Sequence, residues 1–258
     1  MSAVYVIAES IFLKLERFGS FMKLSAKALS GFSFSKKLMK EILSEMYYIG
    51  TRSVMLVFLG GLFAGIILSL ETGYRFEDFG AKTLVGRTVM LGMIRELGPV
   101  VCGLLLAART GAKNTAEIGS MNISEQVLAL EAYGIDPVKK LVVPRTFAAL
   151  IMFLPLVLIA DIAGIFGGLA SCHLWLSVDP AYFWNSGLSG LQMKDLFVGF
   201  IKPVFFGYYI SAISCYYGLT ANGGTAGLGR STINSVVVSS VAVLLLDVIF
   251  TKIVWEIM

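Results

Sequence analysis

The chain has 258 residues, of which 57% are hydrophobic and 15% are charged, and its mean hydropathy is +0.80. Soluble domains carry about 45–50% apolar and about 25% charged residues. This composition excludes an ordinary soluble domain and predicts an all-α integral membrane protein. The net charge of +4 is modest, and most of the excess precedes the first long apolar run. We therefore expect a membrane-surface role for these basic residues and no nucleic-acid partner.

Residues 1–46 are predicted to form an interfacial amphipathic region, and residues 47–258 are predicted to form the membrane domain. Apolar side chains recur near the N-terminus at helical spacing, and basic residues stand between them. The apolar positions are Ile11, Leu15, Phe18 and Met22, and the basic ones are Lys14, Arg17, Lys23 and Lys27. Such a helix suits the headgroup interface, with its cations facing anionic lipid. An ordinary helix packed on protein is the alternative.

Five apolar stretches follow, each near the ~20 helical residues that cross a bilayer core. They lie at roughly 50–70, 84–107, 147–175, 198–219 and 234–254. The third contains Pro155 and Asp161, and the apolar run at 146–178 is too long for one untilted span. One long helix is the first interpretation of this run, and a helix plus a re-entrant piece is the second.

The distribution of lysine and arginine predicts the orientation of these spans, because cytoplasmic loops are enriched in both. Residues 1–52 contain eight basic residues, and residues 108–146 contain five. The loops on the opposite side contain fewer. We therefore expect a cytoplasmic N-terminus, a cytoplasmic 108–146 segment, and a C-terminus outside, or in the periplasm of a two-membrane cell.

The polar segment 108–146 is predicted to be a coupling segment that docks a soluble partner. Its pattern from Ser124 to Ala132 indicates a short amphipathic helix, which Gly134 ends and Pro137 cannot continue. A simple connector needs only a few residues, whereas this segment has nearly forty. A bland connector is the alternative.

The second span contains Arg95, Glu96 and Pro99. Ionisable residues in a span normally face a cavity or a protein partner. Adjacent residues point about 100° apart on a helix, so Arg95 and Glu96 need not pair with each other. Pro99 removes the backbone hydrogen bond to the carbonyl of Arg95. The pattern predicts a kinked, charged cavity wall, and the alternative is that neighbouring helices satisfy each charge.

Other polar residues near the membrane are less informative. Glu71 and Tyr74 close the first span on its outer side, where either a lipid headgroup contact or a simple interface position fits. Asp161 and Asp247 are lone carboxylates in apolar runs. Proton-coupled transport uses such groups, and hydrogen bonding to Ser, Thr or a basic neighbour is the alternative.

Two GxxxG spacings, Gly61 with Gly65 and Gly164 with Gly168, permit close helix approach within the chain or across a dimer. The three cysteines are isolated in apolar surroundings and are expected to be small buried hydrophobes. The sequence contains no P-loop, HExxH, GxSxG or paired-cysteine motif. We therefore predict a non-enzymatic chain with no catalytic or metal-binding residues, so that any ATP-driven step requires another subunit.

The stretch from RELGP at 95–99 to PR at 144–145 is similar to the signature region of the MlaE/YrbE permeases, the membrane subunits of MCE-type ABC transporters. The likeness covers roughly residues 45–255. Its most specific pieces lie at 95–99, 109–111, 115–119, 125–126, 136–137 and 144–145, and Asp247 and Thr251 also fit.

The resemblance implies a homodimer in a bacterial inner membrane, with an interfacial helix, five spans, and a lipid site at the dimer interface that opens outward. It implies three kinds of partner: a cytoplasmic ATPase that binds ATP and Mg²⁺, periplasmic MCE-domain proteins, and in some members a STAS-domain protein. The cargo is phospholipid in one branch and sterol-like or other lipids in others.

Carried over position by position, the resemblance gives two groups of candidate site residues. The lipid-binding candidates are Leu70, Glu71, Tyr74, Arg95, Glu96, Leu97 and Pro99. The ATPase-coupling candidates are Glu117, Glu125, Leu128, Tyr133, Gly134, Asp136 and Pro137. The chain departs from the family at residues 71–74, where ETGY replaces a Gln-Gly-Tyr run, and at Asp161, where the family has an apolar residue.

The sequence therefore predicts a permease that moves phospholipid or a related lipid between the inner membrane and a periplasmic MCE conduit. The alternative is a stand-alone proton-coupled transporter that uses its intramembrane carboxylates. The identity of the lipid, the direction of transport and the presence of a STAS partner stay open.

Overall fold

The computed structural model describes residues 3–257, and this range is helical with short connections. The side chains of residues 3–11, 13, 14, 17, 254, 255 and 257 lie outside the description. In chain order the helices are α1 (Ala3–Ser30), α2 (Lys36–Asp78), α3 (Val85–Gly92), α4 (Gly98–Leu106), α5 (Ala112–Ile123), α6 (Gln126–Ala132), α7 (Val143–Leu176), α8 (Pro180–Gly190), α9 (Met193–Leu219) and α10 (Gly224–Ile257). Three π-helical turns stand at Met93–Leu97, Ala107–Gly111 and Val138–Val142.

Within the described range 3–257, five continuous helical rods are long and apolar enough to cross a bilayer. They are Lys36–Asp78, Lys82–Ile123, Val138–Leu176, Met193–Leu219 and Gly224–Ile253. The predicted all-α membrane fold with five spans is confirmed. Every rod extends beyond its apolar stretch, because polar residues continue the helix past the bilayer core. The predicted boundary at residue 46 therefore falls inside α2, which begins at Lys36.

The third rod is one long helix, which confirms the first interpretation of the 146–178 run. The second interpretation, a helix plus a re-entrant piece, is wrong. α7 continues through Pro155 to Leu176, and its 34 residues correspond to roughly 50 Å.

The 108–146 segment is shorter as a connection than the sequence predicted. Since α5 extends the second rod to Ile123 and the third rod begins at Val138, only residues 124–137 connect the two spans.

Small residues let α2 and α7 pack backbone to backbone. A side chain at Gly61 would collide with the backbone of Ala160, and one at Gly65 would collide with the backbone of Gly164. Ser69 then donates a hydrogen bond to the carbonyl of Gly168 at 3.0 Å. The two GxxxG spacings therefore serve a contact within the chain.

The short helix α8 was not predicted. It covers the end of the bundle opposite α6, because it joins the end of α7 to the start of α9. Asp179 caps it by accepting the backbone N–H of Ala181 at 2.7 Å, and Pro180 occupies its first position. Its Phe183 is buried against α3, where a side chain at Gly86 would meet the backbone of Phe183.

The N-terminal helix α1 exposes Leu15, Phe18 and Met22 and buries Ala28 against the body of the protein. Its C-terminal part is held by a hydrogen bond between Ser25 and the Tyr208 hydroxyl. The side chains of Ile11, Lys14 and Arg17 lie outside the described residues, and the position of α1 at the headgroup interface stays a prediction.

Candidate functional site

The π-helical turn Met93–Leu97 places two charged residues in the second rod and precedes Pro99. Because proline has no N–H, the carbonyl of Arg95 lacks its helical donor. The Nζ atom of Lys202, on α9, donates to this carbonyl at 2.8 Å. The local break that Pro99 causes therefore provides an acceptor for a lysine from another span.

Lys202 is the centre of a buried cluster of charges. It is 0% exposed, and its ammonium group also contacts the carboxylates of Glu96 and Asp247, at 2.8 Å each. The three acceptors at 2.8 Å match the three protons of the ammonium group. Thr251, one turn after Asp247, donates to Glu96 Oε1 at 2.9 Å and lies 3.1 Å from Lys202 Nζ. The cluster joins the second rod, α9 and α10.

Arg95 points away from this cluster and binds Asp195 at the start of α9. Its Nε atom donates to Asp195 Oδ1 at 2.6 Å, while Asp195 Oδ2 accepts the backbone N–H of Gln192 at 2.8 Å. Asp195 is therefore both the capping-box residue of α9 and the counter-ion of Arg95. As predicted, adjacent Arg95 and Glu96 do not pair with each other.

Each candidate lipid residue in the turn is partly accessible. The Glu96 side chain is 38% exposed and that of Arg95 is 34% exposed, although their partners Lys202 and Asp195 are almost completely buried. Leu97 is half-buried and packs against an apolar cluster around Val89. α9 therefore satisfies both charges, as the alternative interpretation of this turn had it, and each side chain keeps one accessible side. We call Arg95 and Glu96, with these buried partners, the charged wall.

The end of α2 presents the remaining lipid candidates apart from that wall. Tyr74 is exposed, and exposed Glu71 forms an ion pair with Arg75 of 2.5 Å, one turn further along α2. Leu70 is half-buried and Pro99 is buried. The structure therefore brings together Arg95, Glu96 and Leu97 within one turn, and it leaves Glu71 and Tyr74 on a separate surface.

At the other end of the bundle, α6 is the short helix that was predicted within the 108–146 segment. It spans Gln126–Ala132, and Gly134 adopts a φ of +72° after it. This left-handed conformation suits glycine and ends the helix as predicted. Leu128 and Tyr133 are exposed apolar residues, Tyr133 at 83%. Exposed Glu125 precedes the helix and is itself left-handed, with a φ of 60°.

Two other coupling candidates are less accessible than Leu128 and Tyr133. Pro137 is buried, and Asp136 is half-buried and forms an ion pair of 2.8 Å with Lys27 of α1. Burial, the largest single influence, raises the pKa of Asp136. The hydrogen bonds from Lys27 and the Val138 N–H, with the positive charges of Lys27 and Lys139, together outweigh burial and lower the pKa.

Glu117 belongs to a charge network that joins three rods below the membrane-spanning core. It accepts from Arg145 of α7 at 3.0 Å and lies 3.3 Å from Lys113. Glu45 of α2 accepts from Lys113 at 2.8 Å and lies 3.5 Å from Arg145. The alternating charges fix the ends of α2, α5 and α7 relative to one another beside α6.

Sequence reasoning missed five of these residues: Lys202, Asp195, Arg145, Lys113 and Glu45. A single lysine in an otherwise apolar span was a visible signal for Lys202. For Asp195 the signal was the capping-box spacing Gln192-x-x-Asp195 at the start of a span. The sequence marks Arg145 and Lys113 as orientation signals, and Arg145 also as part of the family resemblance. It does not show that either one meets Glu45 or Glu117, because these acidic residues lie on other helices or turns.

The comparisons with known proteins agree with this architecture. The family model described as Permease MlaE matches residues 42–253. An intermembrane phospholipid transport system permease protein MlaE from Haemophilus influenzae is 35% identical over 229 residues, which cover 88% of each chain. A probable ABC transporter permease protein from Rickettsia typhi is 35% identical over 239 residues, or 93% of this chain and 92% of the relative.

A third relative is also named as a probable ABC transporter permease. A probable ABC transporter permease protein from Synechocystis is 34% identical over 204 residues, which cover 79% of this chain and 78% of the relative. The family match extends over more than half of the chain and includes both the charged cluster and α6. With its five apolar rods, the chain is therefore a multi-pass membrane protein that belongs to the MlaE permease family of ABC transporter subunits.

Proposed function

We propose that this permease moves phospholipid or a related lipid between a bacterial inner membrane and a periplasmic conduit made of MCE-domain proteins. The observation that carries this proposal is a charged wall in the membrane core: Arg95 and Glu96 are partly accessible, and buried partners hold both in place. A zwitterionic or anionic headgroup presents charges that such a wall can pair with. The phospholipid named for the Haemophilus influenzae relative supports the same substrate class.

The energy source in this proposal is ATP bound with Mg²⁺ on a partner ATPase. The exposed surface of α6, formed by Glu125, Leu128 and Tyr133, is the proposed contact with that ATPase. Leu128 and Tyr133 supply an apolar anchor, as the residues at the centre of a binding interface commonly do. The charge network at Glu45, Glu117 and Arg145 includes α5, the helix that directly precedes α6, and would transmit a movement of α6 to three rods.

A second copy of the chain is the proposed partner within the membrane. α10 exposes apolar residues along one side over several turns. They are Ile233, Val237, Val241, Leu244 and Val248. Their spacing of three and four residues makes one continuous stripe. We place the homodimer contact there, with the N-terminus in the cytoplasm and the C-terminus in the periplasm. A STAS-domain protein is a further proposed partner.

Co-purification tests the proposed assembly. The tagged chain is extracted from its host in mild detergent, and its partners are identified by mass spectrometry. We expect an ABC ATPase and an MCE-domain protein in the purified complex. Recovery of the folded chain without either protein would contradict the proposal and would favour a transporter that works alone.

A further inference from the structure

Asp161 is a buried carboxyl group that the proposed lipid pathway does not use. It lies near the middle of α7, in a stretch from Arg145 to His173 that contains no other charged residue. The residue is 6% exposed, and its Oδ1 atom is buried without a hydrogen-bond partner. Among the described residues it also forms no ion pair. It thus differs from Glu96 and Asp247, which share Lys202.

The carboxyl group fills a space that glycine leaves on α4. A side chain at Gly98 would occupy the position of Asp161 Oδ1, so the carboxyl group lies directly against the backbone of α4. On the next turn of α4, buried Cys102 lies on the same side of the helix as Gly98. On the other side, Ala160 packs against the backbone of Gly61 on α2. The carboxyl group is therefore enclosed by closely packed helices.

No neighbouring element supplies a counter-charge. The α2 residues between Arg52 and Glu71 are uncharged, and so is all of α4. In the π-helical turn before α4, Arg95 binds Asp195 and Glu96 binds Lys202. Lys202 of α9 already donates its hydrogen bonds to Glu96, Asp247 and the Arg95 carbonyl. Within α4, Cys102 is the one titratable residue, and it lies on the side of Gly98.

An isolated ionised carboxylate is strongly disfavoured in such a place, and the group takes up a proton instead. We propose that Asp161 is a proton-binding site, occupied while α7 packs against α2 and α4, and that it releases its proton to water admitted when α7 separates from α4. Gly98 directly follows the turn that carries Arg95 and Glu96. The protonation state of Asp161 therefore depends on how closely α7 packs against α4 behind the charged wall, and it influences that packing in turn.

The proposal has a defined sign. The packed chain holds a proton that the unfolded chain releases at neutral and higher pH. Above the pH at which the carboxyl group of the unfolded chain loses its proton, the folded chain still holds that proton. The folded state then binds more protons than the unfolded state, so its stability falls as the pH rises. A leucine at this position removes the titration and keeps a similar volume. The wild type should therefore lose apparent melting temperature relative to D161L as the pH is raised above neutral.

Infrared spectroscopy of the purified chain in nanodiscs tests the site without any partner or transport activity. The spectrum of D161L is subtracted from that of the wild type, with D161N as a second variant. The exposed carboxyl of Asp78, at the end of α2, provides the control D78N. We expect the loss of one carbonyl band of a protonated carboxylic acid at neutral pH in D161L and D161N, and its retention in D78N.

A difference spectrum that contains only carboxylate bands would overturn the proposal, because Asp161 would then be ionised in the folded chain. Melting curves over the same pH range test the link to packing. Profiles of the wild type and D161L that run parallel would overturn that link. Neither result depends on whether the chain transports lipid, so failure here is distinguishable from failure of the proposed function.

Discussion

At the scale of single residues, the most consequential group is the ammonium of Lys202. A lysine in the centre of a span is disfavoured on its own, and here two carboxylates and a free backbone carbonyl surround it. Such a cluster contributes little net stability compared with apolar packing, but the loss of one member leaves the others uncompensated. Lys202 therefore fixes the geometry of Glu96, which faces the proposed lipid.

Substitution of Lys202 tests this dependence. K202M keeps an unbranched side chain and removes the charge, which leaves Glu96 and Asp247 close together without a cation. We expect a loss of stability near the lower end of about 3–5 kcal/mol, because Glu96 is partly exposed. Thermal unfolding in detergent measures the effect. The triple variant K202M/E96Q/D247N should recover much of the loss, and equal stability of the single and triple variants would contradict the ion-pair account.

The sequence singled out Arg95, Glu96 and Asp247, but it did not single out Lys202 or show which of these residues meet. Arg95 and Glu96 were predicted to diverge, and Pro99 to free the Arg95 carbonyl, since both follow from the geometry of one helix. That Glu96 and Asp247 meet the same lysine depends on how three rods pack. A single sequence holds no information on such contacts between helices distant along the chain.

At the scale of elements, the contact between α2 and α7 rests on glycines. Gly65 faces Gly164 so closely that a Cβ atom at residue 65 would overlap the backbone. Lipid tails are as apolar as leucine, so close packing takes the place of the hydrophobic effect between helices in a bilayer. The two GxxxG spacings predicted close approach, but only the structure shows that both motifs meet each other within one chain.

G65A tests this contact. Overpacking typically destabilises by about 1–3 kcal/mol, and we expect the upper part of that range, because the opposing atoms belong to the backbone and cannot rotate away. Chemical unfolding in mixed micelles provides the measurement. G229A is the matched control, since Gly229 lies in α10 with open space around it. Equal stability of G65A and G229A would show that the helices are not in close contact.

The ion pair between Lys27 and Asp136 ties α1 to the segment that follows α6. The lowered pKa of Asp136 means that this tie is fully present above the ordinary value of 3.8 and is lost as the pH falls through the folded-state value. We therefore predict that acidification lowers the protection of amides in the last turn of α1, measured as the exchange rate relative to the intrinsic rate at each pH. D136N should show that lowered protection already at neutral pH, and unchanged protection would contradict the tie.

The helix boundaries show where sequence reasoning ends at this scale. Hydropathy located all five spans but placed their ends too close to the apolar core, because polar residues such as those at 36–46 continue α2 without a break. α8 was missed although Asp179 and Pro180 form an ordinary helix start. Its eleven residues are too few to give a hydropathy signal, and its place depends on packing against α3.

At the scale of the whole molecule, five helical rods connect the proposed ATPase contact with the proposed lipid path. The α6 surface and the charge network lie at one end, and the charged wall lies within the spans. The family identity accounts for a permease that depends on a separate ATPase. The composition predicted that the chain spans a membrane, and the polar segment between the second and third spans predicted a protein partner. The proposal that the substrate is a lipid depends on the family and on the charges of Arg95 and Glu96.

Cysteine cross-linking tests the arrangement of two copies. V241C places a thiol at the centre of the exposed α10 stripe, whereas the native cysteines of the chain are buried. We expect V241C to form a covalent dimer in native membranes under mild oxidation. I162C is the control, because Ile162 is an exposed apolar residue on α7. Cross-linking of I162C with none of V241C would move the interface to another face.

The contact with the ATPase is tested at α6. Y133A removes the most exposed aromatic ring of the coupling surface, and we expect the recovery of the ATPase with the purified chain to fall at least several-fold, as expected for an aromatic anchor. The charge reversal E125K should weaken association with the ATPase less than Y133A does. F79A is a control, since Phe79 is similarly exposed but lies after α2 at the opposite end of the bundle. Association that is unchanged in Y133A would contradict the coupling surface.

The central claim is that this chain provides the lipid path of an ATP-driven transporter. The most direct measurement follows the movement of a fluorescent phospholipid between donor vesicles, which contain the co-purified complex, and acceptors that carry the MCE-domain partner. We predict movement that requires ATP and Mg²⁺ and that is strongly reduced in K202M. Phospholipid movement that proceeds equally without ATP, or that a proton gradient alone drives, would contradict the account.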